Sequence, residues 1–351
     1  MRHCGSPLLA RRDGGFTVVE LMVAMVISLV LLGGVVSIFV SSKGTYEKLE
    51  RVSRTQESAR FAIDAIVRDI RSAGYMGCSR PSTWKNTLVG ETTMTWNFAD
   101  AIRGYEFQSA STWSPAAPAG LTNIATDAPS GSDVLVLRVP MPAASSATLR
   151  LTDKMASGTS TMTIAAVPSG ATAPLGVGDV VMLADCHARA VFQITAYDPA
   201  TGVIGHDQGG TGPGNASDDV AHAFEANSQI VPVRTVAYYI GTSATGPGLW
   251  RIAGNTNPEE LIQGVERMEL RFGVDANSDR IADSYTTANG VANWDDVITV
   301  SVALLVRSPD EYGTERDTTT YKLLDKTFTA ASDRYARQVF VTTATLRNRA
   351  L

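Results

Sequence analysis

The chain has 351 residues, 44% of them hydrophobic, and a formal net charge of −5. That length allows one large domain or two modest ones with a proper core, and the composition is that of a globular protein rather than a polytopic membrane protein. No Lys/Arg-rich stripe stands outside the first 15 residues, so composition lends nucleic-acid binding little support.

Residues 1–15, MRHCGSPLLARRDGG, carry Arg2, Arg11 and Arg12, and 20 uncharged residues follow from Leu21 to Val40. At a rise of ~1.5 Å per residue, such a helix spans roughly 30 Å, one bilayer core. Arginines on the near side predict a cytoplasmic N-terminus, a single pass, and the bulk of the chain beyond the inner membrane. A cleaved secretory signal would need a shorter apolar core followed by an A-x-A-like site, which Ser41-Ser42-Lys43-Gly44 hardly resembles. A plain anchor accounts for the run but leaves Glu20 unexplained, because a carboxylate at the edge of an apolar helix is costly. Gly33 and Gly34 together cost ~2 kcal/mol of helix propensity relative to alanine. They mark either a place where the helix melts or bends on assembly, or close packing against neighbouring helices.

Past the apolar run, Leu49, Val52, Gln56, Ala59, Ile63, Ile66, Ile70 and Ala73 recur in steps of three and four. That is the mostly apolar stripe of a continuing helix, expected from about Thr17 to Ala73 with Gly74 as its C-cap. A coiled-coil seam fits the same spacing. Beyond Cys78 the character changes. Residues 109–131, rich in Ala, Pro, Ser and Thr, read as a surface loop. Strand-like stretches follow at 134–139, 180–183, 191–196, 234–240, 249–252, 268–274, 298–306 and 338–345, several alternating apolar with polar residues. The glycine-rich run 209–214 lacks the strand–helix context of a phosphate site and reads as a loop.

Two patterns hold candidate chemistry. The cysteines are Cys4, Cys78 and Cys186. If the first 15 residues are removed, Cys78 and Cys186 remain as a candidate disulfide in an oxidising compartment, worth ~4–5 kcal/mol in the chain-entropy model. A metal site from Asp185, Cys186 and His187 with Cys78 is the rival, although adjacent strand residues point to opposite faces. In Asp275-Ala276-Asn277-Ser278-Asp279-Arg280-Ile281-Ala282-Asp283, the oxygen side chains of Asp275, Asn277, Asp279 and Asp283 resemble the first nine positions of an EF-hand loop, so calcium is the cofactor this pattern would take. Arg280 stands where the sharp turn wants glycine, and Thr286 where the bidentate Glu belongs. The other reading is an Asx-rich turn joining two strands. No H-E-x-x-H, G-x-S-x-G, P-loop or C-x-x-C occurs, so no enzyme and no further cofactor is expected.

The stretch Gly15-Phe16-Thr17-Val18-Val19-Glu20 resembles the type IV prepilin cleavage motif. The resemblance implies that a membrane prepilin peptidase cuts between Gly15 and Phe16 and methylates the Phe16 amine. It also implies that Glu20 pairs with the N-terminal amine of a neighbouring subunit in a filament. Cleavage would shift the net charge from −5 to −7, because three Arg and one Asp leave with the leader. Segments 59–63 and 69–78, then 178–186, 264–266 onward and 346–349, are similar in sequence and order to the PilW family of type IV pilus minor pilins. That likeness implies an α+β, pilin-like fold, with a long N-terminal helix whose first half spans the membrane, packed on a domain rich in antiparallel β-sheet. The expected divisions are a leader (1–15), a transmembrane and filament-core helix (16–42), an amphipathic helix (43–77) and a β-rich periplasmic, filament-exposed domain (78–351). The implied function is assembly of the type IV pilus in a priming or tip complex, and then display at the cell surface for twitching motility, adhesion or DNA uptake. The implied partners are other minor pilins, the major pilin and a pilus-tip adhesin. A minor pseudopilin of a type II secretion system shares the leader and helix, and a ligand-binding module at a filament tip is the alternative of another class.

Overall fold

The computed structural model describes residues 15–75, 77, 83–109, 112–116, 131–141, 149–311 and 315–350. The chain divides into two units, Met1–Ser53 and Arg54–Leu351.

Helix α1 runs from Val18 to Ser72. No proline stands between Pro7 and Pro81, so no backbone donor is lost along it. It stays unbroken through Gly33 and Gly34. Gly74 takes φ +71°, the left-handed conformation that ends a helix where a side chain would be strained. The last carbonyls, of Ser72 and Ala73, accept from the Asn348 side chain at 3.2 and 3.1 Å.

In the second unit the strands are β1 (Thr83–Asn86), β2 (Ile102–Ser109), β3 (Thr112–Ser114), β4 (Val134–Pro140), β5 (Leu149–Arg150) and β6 (Met162–Thr163). Next come β7 (Val180–Ala184), β8 (Ala188–Gln193), β9 (Ala196–Asp198), β10 (Val203–Gly205) and β11 (Gln229–Ser243). After them lie β12 (Gly246–Ala253), β13 (Glu259–Gln263), β14 (Val265–Val274), β15 (Ser284–Thr286) and β16 (Val297–Arg307). The series closes with β17 (Thr320–Leu323), β18 (Lys326–Thr329), β19 (Arg337–Thr345) and the short helix α2 (Arg347–Ala350). Among the described residues, one large sheet runs β1-β8-β7-β11-β4-β2-β3; β12 and β5 also pair with β11, and β13 pairs with β12. A second sheet runs β15-β14-β16-β19, and two small sheets are β6-β10-β9 and β17-β18. All pairings are antiparallel except β1 with β8.

Each expected strand position is extended, with one division. The stretch 191–196 is two strands, because Ile194 turns to pair with Asp179 and Thr195 with Gly205. Part of the expected 109–131 loop is strand β3, paired with β2; residues 117–130 lie outside the described residues. The glycine-rich run is a loop, held because the Gln193 amide donates to the Thr211 and Gly212 carbonyls and its oxygen accepts from Gly214 N–H.

The main core is formed where the last turns of α1 lie on the two larger sheets. Ala59, Ala62, Ile66 and Ile70 are fully buried among Leu135, Leu137, Tyr238, Leu270, Phe272, Val302 and Leu304. The helix presents alanines at two of these positions, which lets its backbone come close to the sheet. Tyr238 donates to Asp69 on the helix at 2.7 Å, and burial followed by the Asp69 charge raises its pKa. The Ile70→Ala variant removes a fully buried side chain at this junction and is expected to lower unfolding stability by about 2–5 kcal/mol in urea melts. A loss below about 1 kcal/mol would show that the helix end is not part of the cooperative core.

Candidate functional site

Helix α1 begins with a reciprocal cap. The Thr17 backbone N–H and hydroxyl both donate to Glu20 Oε2 at 3.1 Å, and Glu20 N–H donates to Thr17 Oγ1 at 3.2 Å. This is a capping box, which satisfies donors that the first turn otherwise leaves unpaired. It also turns the Glu20 carboxylate back toward the helix start, where the macrodipole favours negative charge. Phe16 is 88% exposed. The Cβ positions of Gly15, Gly33 and Gly34 meet nothing within 4 Å. Large side chains from Leu21 to Val40 are likewise exposed, among them Leu29, Leu32, Ile38 and Phe39. Among the described residues this is the helix long and apolar enough to cross a membrane, and none of its most apolar window is buried in protein.

Residues 10–36, which contain Gly15, Phe16, Glu20, Gly33 and Gly34, match the model of the prokaryotic N-terminal methylation motif. Residues 237–348 match the model of type IV pilus-assembly protein W, PilW. Over these two stretches the chain is similar to PilW-family, prepilin-type proteins. The PilW match takes in the segments beginning at Gly264 and Leu346 and most of the strands from β11 onward, and the two matches leave 37–236 uncovered. Neither the curated proteins nor the solved structures give a match. The matches support the part of a minor pilin in the type IV pilus, anchored by its N-terminal helix.

Cys186 is disulfide-bonded, whereas Cys78 lies outside the described residues. Gly77, the residue before it, approaches the end of β7 so closely that a Cβ there would lie 2.7 Å from that of Ala184. The loop holding Asp275, Asn277, Asp279 and Asp283 is bonded to itself. Asp275 accepts from the Ser278, Asp279 and Arg280 amides, Asp279 from Ile281, and Asp283 from Ala276 and the Asn277 side chain. These bonds are those of an Asx-rich turn, and no group of three or more His, Cys, Asp or Glu among the described residues is arranged to hold a metal ion. Arg280 sits at φ +70°, the conformation the glycine of an EF-hand loop would supply.

Two charge clusters were invisible to motif reading. The Arg337 side chain, 1% exposed, donates to Glu266 at 2.7 and 3.0 Å, to Asp333 at 2.7 and 2.6 Å and to Asp317 at 3.1 Å. In the second cluster Lys326 meets Glu269 at 3.1 Å, Glu106 at 3.4 Å and Asp133 at 3.7 Å, on the wall of a cavity of about 400 Å³ that Phe107, Arg267 and Phe328 also line. One lysine faces three acids. Burial also raises Asp133, although it accepts from the Phe107 and Leu270 amides; burial, and then the Asp133 charge, push Glu269 up to about 8.

Two predictions arise from these loops and clusters. Arg280→Gly relieves a left-handed arginine and is expected to raise stability by about 1 kcal/mol in urea melts, with no gain if the turn is unstrained. Glu269 binds its proton more tightly in the folded state than in the unfolded chain, so its contribution is complete below the unfolded pKa near ~4.5 and is lost as pH rises toward 8. The Glu269→Gln variant should therefore flatten the fall in urea midpoint between pH 5 and 8 relative to the parent protein; parallel profiles would rule this out.

Proposed function

We propose that the chain is a minor pilin that primes type IV pilus assembly in the inner membrane, in a complex with other minor pilins that then sits at the fibre tip. The observation that carries this reading is the exposed apolar helix that starts with the Thr17–Glu20 capping box, inside a matched methylation motif. Prepilin peptidase cuts between Gly15 and Phe16 and methylates the Phe16 amine. Gly15 suits that step because a residue without Cβ extends into a narrow cleft, and the open space around it leaves the bond accessible. The helix then holds the protein in the membrane by a single pass, N-terminus in the cytoplasm and the β-rich unit in the periplasm. When the helix enters the filament, Glu20 exchanges its contact with Thr17 for the amine of a neighbouring subunit. An unpaired carboxylate in hydrocarbon costs at least ~2.5 kcal/mol, so that partner stabilises the assembled state. Flexing at Gly33 and Gly34 accommodates the packing. Cys186 pairs with Cys78, a reading supported by the nearness of Gly77 to Ala184. The major pilin and a tip adhesin are the further partners.

Two measurements test this. Gly15→Glu is expected to leave precursor-length protein on a gel, and mature-length protein in cells lacking the peptidase would refute the cleavage site. Deletion of the gene is expected to remove most surface pili seen by electron microscopy. Normal piliation with loss of protein secretion would assign the chain to a type II secretion pseudopilus instead.

A further inference from the structure

A second feature of the β-rich unit has no place in filament chemistry. Arg138, on β4, is 7% exposed. Its Nη2 donates to the Met94 carbonyl at 2.9 Å, but its Nε and Nη1 are buried without a hydrogen-bond partner. Arg189, on β8, stacks on Trp84 with its guanidinium carbon 4.2 Å from the ring centroid, and its Nε is likewise buried and unpartnered. Both arginines line one small cavity of about 20 Å³, together with Gly74, Tyr75, Trp84 and Phe98. A water-sized sphere needs ~10–15 Å³ by such a measure, so the space fits one water or one monatomic ion.

Charge decides between those occupants. Among the described residues lining the cavity there is no carboxylate. Asp100 and Asp295 act on Arg138 and Arg189 from a distance, but each forms its ion pair with another arginine: Asp100 with Arg103 at 2.6 Å, and Asp295 with Arg349 at 2.7 Å. The C-terminal carbonyls of α1, which carry a partial negative charge, are taken by Asn348. Burial lowers the pKa of both arginines to about 10, in keeping with guanidinium groups short of compensation. A buried charge without a partner costs several kcal/mol, and a neutral water leaves both charges in place. A monatomic anion would accept from the free N–H groups of both side chains and reduce the net charge.

We infer that the cavity between Arg138 and Arg189 is a binding site for a small monatomic anion of the chloride class. The bound ion ties together the chain leaving the helix end (Gly74, Tyr75), the parallel pair β1–β8 and strand β4. The test uses the mature full-length protein in detergent micelles, melted in sodium chloride or sodium gluconate at equal ionic strength and followed by fluorescence of its five tryptophans. Chloride between 1 and 200 mM is expected to raise Tm saturably by about 3 °C, with no such rise in gluconate. Arg138→Met should lose the chloride-dependent rise. Equal melting temperatures of the parent protein in the two salts would overturn the inference and leave the cavity to water. A rise that persists undiminished in folded Arg138→Met protein would overturn it as well. If that variant does not fold, the comparison of salts on the parent protein decides alone.

Discussion

Twenty uncharged residues of helix with no protein against them are the constraint on which the rest of this molecule depends. A Leu, Ile, Val or Phe side chain left in water forgoes about 1.5–3 kcal/mol relative to burial, and the run from Leu21 to Val40 holds many of them. Such a helix needs lipid or other helices as its solvent. That need explains why the first charged side chain of the helix is tied down at its start: Glu20 is bonded to Thr17. It also explains why the same helix changes character after Lys43. The residues that meet the β-sheets are small or branched and confined to one face, and the other faces carry charge.

Much of this was legible in the sequence because it is local or periodic. The helix ends fell within a residue of expectation, since a three–four apolar repeat and a left-handed glycine act over a single turn. The long buried strands β4, β11, β14 and β16 were visible as apolar runs. The short ones were not: β1, β5, β6 and β10 have two to four residues each, too few to show a period, and exist because a neighbouring strand supplies their partners. The division of 191–196 had the same cause, as β-propensity continues across Ile194 while the hydrogen-bond partner changes.

Candidate chemistry followed the same divide. Gly15, Phe16 and Glu20 lie within six residues and read as a unit. Arg337 and Glu266 are 71 residues apart, and Lys326 reaches acids on three other segments, so no spacing rule finds either cluster. The acidic loop at 275–283 shows the converse ambiguity. Alternating oxygen side chains are what a calcium loop needs, but they are also what a run of Asx turns needs, and only the direction of each carboxylate separates the two.

The helix cap from Asn348 sets a timetable for synthesis. The groups it satisfies belong to Ser72 and Ala73, 276 and 275 residues earlier, and its neighbour Arg349 bonds to the carbonyl of Trp294. A growing chain therefore offers its apolar helix to the membrane long before the helix end can be closed. Contacts of such sequence separation form late and slowly. Membrane insertion and completion of the β-rich unit are thus separated in time. For that interval the Ser72 and Ala73 carbonyls at the end of α1 lack the side chain that later bonds them and are left to water.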